Sequence, residues 1–224
     1  SPMKIGTDAL LLGAYPKAIA PGFRCLDIGS GCGIITLMTA RNYPLATYTC
    51  IDIDNPATEE CNKNIARNQM HTYCHAINQD IKYLQDHDNL FQVIFSNPPY
   101  FSSELKSANT EMRKAKHRET LTFTELAESV SRLLCSDGLF YIILPQNESF
   151  DFQNIAIKCG LMPIEKLLIS SFKDTKIIRE ITTYKKADQA QEIKPEHLFL
   201  YQTSKRNDWS EGYKQMLRNF KKFE

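Results

Sequence analysis

The chain has 224 residues, of which 42% are hydrophobic and 24% are charged, and its net charge is +1. This size and hydrophobic content fit one globular domain with a full core, so residues 1–224 are expected to form one domain. The balanced charge does not require a nucleic-acid partner. No apolar run approaches the roughly 18 residues of a membrane helix, and the opening Ser1-Pro2-Met3-Lys4 lacks the apolar segment of a signal peptide, so neither is expected.

The predicted elements alternate between helices and strands, which indicates an α/β fold with a mostly parallel sheet and helices on both faces. Predicted helices cover residues 7–19, 33–42, 56–69, 123–134, 150–159 and 208–223. Seven predicted strands cover residues 24–28, 47–52, 73–78, 92–96, 139–144, 163–170 and 177–185, with a turn at 136–138. Thr7 or Asp8 is the expected cap of the first helix, and Asp208 is the expected cap of the last.

Cysteine usage indicates a reducing compartment. The seven cysteines are an odd number and include no Cys-x-x-Cys pair. Most lie in apolar stretches, where a thiol behaves as a small hydrophobic group. A cytoplasmic protein fits this pattern best. His71, Cys74 and His75 are of metal-binding residue types, but no second ligand pair has metal spacing, so no metal is expected.

The first predicted strand ends in a glycine-rich turn, Leu26-Asp27-Ile28-Gly29-Ser30-Gly31-Cys32-Gly33. Dinucleotide-binding folds use G-x-G-x-x-G to hold a pyrophosphate, whereas this turn reads G-x-G-x-G and follows an acid. The acid at Asp27 suits a ligand with a cationic amine, and S-adenosylmethionine has such an amine. The alternative is a glycine turn that binds no ligand.

Two acidic residues at the ends of the next strands extend this site. Asp52 ends the second strand, where a carboxylate can accept hydrogen bonds from both ribose hydroxyls. Asp54 competes for that role, although it fits better as the cap of the helix that Pro56 opens. Asp80 follows the third strand and can reach the adenine amino group of the cofactor, with Ile81 packed on the ring. A solvent-exposed Asp80 without a ligand is the alternative.

The tetrapeptide Asn97-Pro98-Pro99-Tyr100 follows the fourth strand, at the sheet edge where such folds bind ligands. The nitrogen of an aromatic amine or amide is planar and a poor nucleophile until its NH2 group is drawn toward tetrahedral geometry. The Asn97 Oδ1 and the Pro98 carbonyl are the two predicted acceptors that favour this geometry. Pro98 and Pro99 stiffen the turn, and Tyr100 offers a stacking face. The motif predicts methyl transfer to a planar nitrogen; a plain strand-ending turn is the alternative.

Taken together, these motifs resemble the bacterial tRNA1(Val) (adenine-37-N6)-methyltransferases, a family of class I S-adenosylmethionine-dependent enzymes. The resemblance extends from Met3 nearly to Glu224. Several of its parts are shared by many N-methyltransferases: the glycine turn, Asp52-Ile53-Asp54, the Asn97 motif and Leu144-Pro145. The discriminating parts are Met3-Lys4-Ile5-Gly6-Thr7-Asp8-Ala9-Leu10-Leu11-Leu12-Gly13-Ala14-Tyr15 and Trp209-Ser210-Glu211-Gly212-Tyr213.

The resemblance implies a Rossmann-like class I methyltransferase fold with an antiparallel strand near the C-terminus. It also implies N6 methylation of an adenine in tRNA, at position 37 of tRNA1(Val), by a monomer. It places four residues at the methionine end of the cofactor, namely Lys4, Thr7, Asp8 and Gly13, and Ile53 and Asn97 are also expected to contact the cofactor. The family usually starts about thirty residues earlier, so a chain without that segment is expected to bind cofactor and can still be catalytically weak.

Two basic segments are candidates for contact with tRNA phosphates. Residues 102–118 carry five Lys and Arg against two acids, and residues 203–224 carry six against three. Each segment alone is also typical of a solvated face. Tyr100, Phe101 and Trp209 are candidates to hold an unstacked base.

Three other functions remain open from the residues. Glutamine N5-methylation of a release factor uses the same tetrapeptide, although those enzymes carry an N-terminal helical domain for which there is no room before Asp27. The second is methylation of an exocyclic amine in DNA or ribosomal RNA. The third is a cofactor-binding scaffold without catalysis, against which Asn97 argues.

Overall fold

The structure is a computed structural model that describes residues 6–85, 90–99, 121–189, 191–205 and 208–220. The strands of these ranges form one sheet in the order β3-β2-β1-β4-β5-β7-β6-β8. The strands are β1 Arg24–Ile28, β2 Thr47–Asp52, β3 Cys74–Asn78, β4 Phe91–Ser96, β5 Leu134–Leu144, β6 Leu161–Ser170, β7 Ile177–Lys186 and β8 Glu196–Phe199. The helices are α1 Thr7–Ala14, α2 Ile34–Asn42, α3 Asn55–Arg67, α4 Phe123–Leu133, α5 Gln146–Lys158 and α6 Glu211–Leu217, with a short 3-10 helix at Ile81–Tyr83.

Strand directions follow the expected pattern. Strand β1 pairs in parallel with β2 and β4, β2 with β3, and β4 with β5. Strand β7 is antiparallel to both β5 and β6. The prediction of a mostly parallel sheet with an antiparallel strand near the C-terminus is therefore confirmed.

The sheet has eight strands, so the prediction of seven is wrong. The additional strand, β8, is four residues long and pairs in parallel with β6 from Leu167 to Ser170. Glu196 and His197 are exposed and only Leu198 is buried. Such a segment shows no alternation of apolar and polar residues, because its main-chain pairing forms it rather than a buried face.

Several element boundaries also differ from the predicted ones. Helix α1 ends at Ala14 instead of residue 19, because Pro16 has no N–H and cannot continue a helix. Gly6, and neither Thr7 nor Asp8, occupies its N-cap position. Helix α6 begins after Ser210, whose hydroxyl accepts from the Tyr213 N–H at 3.1 Å.

Asp208, the predicted cap of the last helix, instead accepts a hydrogen bond from the Thr203 hydroxyl. Strand β5 starts at Leu134, five residues before the predicted start, and residues 135–138 form an irregularity in its pairing with β4. The predicted turn is thus contained in this strand. A Cβ on Gly138 would lie 2.6 Å from Leu134 Cδ1, so a larger residue would displace the buried Leu134 side chain.

Hydrophobic cores fill both faces of the sheet. On one face, β4 contributes Phe95, which packs with residues of α1, α2, α3 and α6. On the other face, β4 contributes Ile94, which packs with residues of α4 and α5. Among the described residues, none of the helices is both long and apolar enough to span a bilayer.

The central strands align at their carboxyl ends. Ile28 of β1 pairs with Ile51 of β2 and with Ser96 of β4. The residues that follow these three strands therefore meet at one edge of the sheet, which is called the carboxyl edge below.

Candidate active site

The glycine-rich turn connects β1 to α2 at the carboxyl edge. Gly29, Gly31 and Gly33 have φ angles of 68°, 52° and 81°, in the left-handed region that favours glycine. The N–H of Gly29 donates to the Ile51 carbonyl at 2.9 Å and so fixes the turn to the end of β2. A Cβ on Gly33 would lie 2.5 Å from the Cys61 Sγ, so no larger residue fits there.

Asp27 is a buried carboxyl two residues before this turn, and it is 1% exposed. Its Oδ2 accepts a hydrogen bond from the Thr36 hydroxyl of α2 at 2.9 Å. Its Oδ1 and the hydroxyl of Ser30 are buried and have no hydrogen-bond partner among the described residues. Burial raises the pKa of Asp27 to about 7, although the hydrogen bonds from Thr36 oppose this shift.

Asp52 joins the glycine turn to the end of β2. Its Oδ2 accepts from the N–H of Gly31, and its Oδ1 accepts from the N–H of Asp54, each at 2.9 Å. Asp54 is exposed at the N-cap of α3, and its side chain makes no capping hydrogen bond among the described residues. Ile53, between the two acids, is 55% exposed. The structure therefore brings the Asp52 carboxylate against the turn and leaves an aliphatic side chain open beside it.

Asp80 begins the 3-10 helix after β3 and is half-buried. Its Oδ1 accepts from the Lys82 N–H at 2.9 Å. The Lys82 Nζ lies 3.4 Å from the Asp80 Oδ2 and 3.1 Å from the Glu125 Oε1 of α4. Ile81 is 4% exposed and packs in the core, while Arg132 of α4 donates to the Ile81 carbonyl at 3.1 Å. The segment is thus held by α4, and Asp80 is not a freely solvated acid.

Asn97 is the first residue after β4, as Gly29 is the first after β1. Ile28 and Ser96 pair in the register of these two strands, and the Ser96 hydroxyl donates to the Ile28 carbonyl at 3.1 Å. Neighbouring strands lie about 4.8 Å apart. Asn97 therefore stands beside the glycine turn at the carboxyl edge.

The rest of the tetrapeptide is only partly described. Asn97 is half-buried, Pro98 is buried and Pro99 is exposed. Tyr100, the predicted stacking residue, lies outside the described residues, as does Phe101.

The opening block places its residues in different environments. Thr7 is exposed at the first position of α1, and the Asp8 Oδ2 accepts from the Arg179 Nε of β7 at 2.8 Å. Gly13 is buried in the contact between α1 and α2, where an added Cβ would lie 3.1 Å from the Met38 Cβ. Lys4 lies outside the described residues. The predicted cofactor contacts of these four residues stay predictions.

Sequence reasoning missed three residues that support the site. Thr36 hydrogen-bonds Asp27, Arg132 holds the 3-10 helix, and Arg179 pairs with Asp8. Asp8 and Arg179 are 171 positions apart, so no local pattern links them. Thr36 could have been predicted, because a threonine in the helix after a strand with a buried acid can donate its hydroxyl to that acid.

The described ranges contain no group of three or more His, Cys, Asp or Glu side chains that could hold a metal ion. All seven cysteines are free thiols, and Cys74, of the considered metal group, is buried while His71 and His75 are exposed.

Residues 3–150 match the methyltransferase small domain family, a range that includes the glycine turn, Asp52 and the Asn97 tetrapeptide. The chain belongs to this family. It is an S-adenosylmethionine-dependent methyltransferase, and the fold expected from the sequence is confirmed.

Relatives of the enzyme bear the name tRNA1(Val) (adenine(37)-N6)-methyltransferase, which confirms the resemblance stated from the sequence. One from Bacteroides fragilis is 35% identical over 169 residues, which cover 75% of this chain and 70% of the relative. One from Bacteroides thetaiotaomicron is 32% identical over 219 residues, which cover 97% and 90%. A solved structure of a predicted O-methyltransferase from Agrobacterium tumefaciens has a TM-score of 0.73 at 17% identity and covers 94% of this chain and 95% of that one.

The residues of the carboxyl edge fit the cofactor of this family. Asp27 and Ser30 each present a buried acceptor without a partner among the described residues. Burying a polar atom without a hydrogen-bond partner costs free energy, and a ligand or an ordered water can supply that partner. The negative charge of Asp27 matches a cationic amine, and the Asp52 carboxylate and the exposed Ile53 offer polar and apolar contacts further along the edge.

Proposed function

We propose that the enzyme transfers a methyl group to the N6 amine of an adenine in tRNA, at position 37 of tRNA1(Val), as its relatives are named to do. One observation carries this proposal. Asn97 follows β4 directly beside the glycine turn that follows β1, so an acceptor for an amine stands next to the cofactor turn.

The proposed mechanism uses the side chain of Asn97 and the main chain of Pro98. When bound, S-adenosylmethionine supplies a methyl group on a cationic sulfur. The Asn97 Oδ1 and the Pro98 carbonyl accept hydrogen bonds from the two hydrogens of the adenine amine. This pairing draws the amine toward tetrahedral geometry and directs its lone pair at the methyl group, so the hydrogen bonds are stronger in the transition state than in the ground state. The C–N bond would form as the methyl–sulfur bond breaks, which leaves a neutral thioether, and the methylated nitrogen would then lose one proton to solvent, so no strong base is required.

We assign the remaining cofactor contacts by position. Asp52 retains lone pairs for the ribose hydroxyls after binding the Gly31 and Asp54 N–H groups. Ile53 is exposed enough to cover one face of the adenine ring, whereas Ile81 offers little surface. Asp80 reaches the adenine amine only if its Oδ2 exchanges the contact with Lys82 for the ligand.

Basic residues are proposed to neutralise tRNA phosphates. Residues 102–118 and the end of the C-terminal segment, with Lys221 and Lys222, lie outside the described residues. Of the described part, Lys205 and Arg218 are exposed. Because tRNA is the proposed substrate and all seven cysteines are free, the cytoplasm is the proposed compartment.

The decisive experiment measures which molecule receives the methyl group. An unmodified transcript of tRNA1(Val) is incubated with the enzyme and labelled S-adenosylmethionine, digested to nucleosides and examined by mass spectrometry. Labelled N6-methyladenosine is expected, and it should disappear from a transcript with guanine at position 37. Label in a release factor with none in the tRNA would overturn the proposal.

Asn97→Ala tests the catalytic role. Loss of one transition-state acceptor should lower kcat by roughly 100- to 1000-fold. The affinity for S-adenosylmethionine should stay nearly unchanged, because the glycine turn and Asp52 remain. Asn97→Asp, which keeps an acceptor of the same shape, should lose less activity than Asn97→Ala in the same single-turnover assay. Near-normal turnover in Asn97→Ala would contradict the mechanism.

A further inference from the structure

Four aromatic rings, each in contact with the next, form a row away from the cofactor turn. It consists of Phe172, Tyr201, Trp209 and Tyr213 and is called the aromatic ladder here. Ring centroids are 5.7 Å apart for Phe172 and Tyr201, 4.8 Å for Tyr201 and Trp209, and 4.6 Å for Trp209 and Tyr213. The last two pairs are stacked, with interplanar angles of 26° and 20°. The ladder joins the loop between β6 and β7 to the segment after β8 and to α6.

The Phe172 end of the ladder lies at the carboxyl edge. Ser170 ends β6 and pairs with Phe199 of β8. The Tyr201 N–H extends this strand pairing by donating to the Ser171 carbonyl at 3.0 Å. Strand β6 is separated from β4, and hence from Asn97, by β5 and β7. Three strand spacings of about 4.8 Å amount to roughly 15 Å, or about four nucleotides stacked at about 3.4 Å each.

Hydrogen bonds hold Phe172 in place. Its N–H donates to the Thr175 Oγ1 at 3.1 Å, and its carbonyl accepts from the hydroxyls of Thr175 at 2.7 Å and Ser170 at 3.0 Å. Asp174, in the same loop, has a φ of 59°, which closes the turn. The main chain at Phe172 is therefore held by its own loop, and the ring itself contacts Tyr201.

The two ends of the ladder differ in exposure. Tyr213 is 2% exposed and belongs to the core, whereas Phe172 is half-buried, and among the described residues no further ring stacks beyond it. The side chains of Lys173 and Lys176, beside Phe172, are exposed, as is that of Lys205 after Tyr201. An aromatic face between exposed cations fits a single-stranded nucleic acid, which has a π-face on every base and a phosphate at every step.

We infer that the Phe172 end of the aromatic ladder is a stacking platform for an unpaired tRNA base a few nucleotides from the methylated adenine. This inference rests on the proposed function and adds a binding surface to it. The buried Tyr213 ring and the half-buried Trp209 ring anchor the platform, so a base on Phe172 extends a row of rings that is already ordered. Lys173 and Lys176 contact the adjoining phosphates.

Binding of a short RNA hairpin with an unpaired adenine in its loop tests the inference, by fluorescence anisotropy at fixed salt. Phe172→Leu keeps the apolar bulk and removes the ring. The Kd for RNA should rise roughly 5- to 150-fold, the range for one base–aromatic stack. Phe172→Tyr should restore binding. Leu45→Ala, a truncation of a side chain that is 71% exposed and precedes β2, should leave the Kd unchanged.

Charge variants test the phosphate contacts. The slope of log K against log salt is negative, and Lys173→Glu combined with Lys176→Glu should reduce its magnitude by roughly 0.7 for each lost phosphate contact. Lys158→Glu, an exposed lysine at the end of α5, is the control that should not change the slope. Thermal unfolding and S-adenosylmethionine affinity are measured for every variant to show that each is folded.

The outcomes separate the inference from the proposed function. RNA binding that is equal in wild type and Phe172→Leu, or equally weak in Phe172→Leu and Phe172→Tyr, would overturn the platform even if tRNA is methylated. Binding that depends on the Phe172 ring would support the platform even if no methyladenosine forms, and in that case the proposed reaction alone would fail.

Discussion

At the scale of single residues, Asp52 has one observed role and one proposed role that one substitution can test. It accepts hydrogen bonds from the N–H groups of Gly31 and Asp54, and its remaining lone pairs are proposed to bind the ribose of the cofactor. Asp52→Ala removes the support of the turn and the ribose acceptor together. Because hydrogen bonds to a charged group contribute about 1.5–3 kcal/mol each, the Kd for S-adenosylmethionine should rise by roughly 10- to 100-fold. Isothermal titration calorimetry measures it.

Asp54→Ala is the matched control for this substitution. The Asp54 side chain is exposed, and its main-chain N–H, which binds Asp52, is retained in the variant. Cofactor affinity should therefore stay near that of the wild type. A loss in Asp54→Ala as large as that in Asp52→Ala would assign the ribose to Asp54.

Asp27 gives the site a pH dependence. Its pKa is about 7 in the folded protein, raised from 3.8 by burial. The folded state therefore binds the proton more tightly than the unfolded chain does. The contribution of Asp27 to the free energy of unfolding is fully present below pH 3.8 and is lost as pH rises through 7. Urea unfolding of the ligand-free protein between pH 5 and pH 8 should show this fall, with the Asp27→Asn variant as reference.

The ligand-free protein favours the protonated form of Asp27. A cationic ligand reverses this preference, because an ammonium group favours the ionised carboxyl. Binding of S-adenosylmethionine below pH 7 should release a proton, and affinity should increase as pH rises toward 8. Calorimetry in buffers of different ionisation enthalpy detects that proton. The same pH dependence in Asp27→Asn would show that another group is responsible.

At the scale of elements, helix α4 begins with a complete capping box that also supports the 3-10 helix. The Thr122 Oγ1 accepts from the Glu125 N–H at 3.2 Å, and the Glu125 Oε2 accepts from the Thr122 N–H at 2.9 Å. The other Glu125 oxygen pairs with Lys82. Helix α4 is therefore held against the 3-10 helix at both ends, by Glu125 and Lys82 at its first turn and by Arg132 and the Ile81 carbonyl at its last turn.

Thr122→Ala should lower the free energy of unfolding by about 1 kcal/mol, because the side-chain acceptor for the Glu125 N–H is lost. Thr122→Ser keeps a hydroxyl and should stay within a few tenths of the wild-type value. Urea denaturation measures both. A Thr122→Ser variant as unstable as Thr122→Ala would indicate that the threonine methyl group, and not the cap, stabilises the helix.

At the scale of the whole molecule, the sequence predicted those features that local patterns determine. Strands β1 and β2 have the predicted bounds, because each is a short segment rich in β-branched, aromatic or other apolar residues that ends at a turn or at the cap of a helix. Asp27, Asp52 and Asn97 adjoin or end parallel strands, and parallel strands bring such residues to one edge. Their meeting at the carboxyl edge follows from the order of the strands alone.

Features that depend on distant partners were not predictable in this way. Strand β8 forms through main-chain pairing with β6, which its own four residues do not encode. The caps of α1 and α6 differ from the predicted ones because more than one polar or small residue near each start can take the cap position. Contacts such as that of Arg132 with Ile81, 51 positions apart, exist only once the chain has folded.

Among the contacts of the site between residues far apart in the sequence, the ion pair of Asp8 and Arg179 has the largest separation, 171 positions. It ties α1 to β7, and the two side chains are 17% and 29% exposed. Arg179 also lies near enough to Glu148 of α5 to oppose the rise in pKa that burial gives to this carboxyl. The pair is better shielded from solvent than most surface pairs, so its interaction should reach the top of their range.

A double-mutant cycle with Asp8→Asn and Arg179→Gln should give a coupling free energy of about 1 kcal/mol in urea unfolding. Lys17 and Glu196 form the matched control, since they are also far apart in sequence, lie 3.3 Å apart, and are 63% and 65% exposed. Their coupling should be within about 0.5 kcal/mol of zero, because solvent screens both charges. Equal coupling in the two pairs would mean that burial does not strengthen the link between α1 and β7.

A larger coupling for Asp8 and Arg179 should be accompanied by a lower kcat in each single variant, since both residues lie on elements that begin at the carboxyl edge.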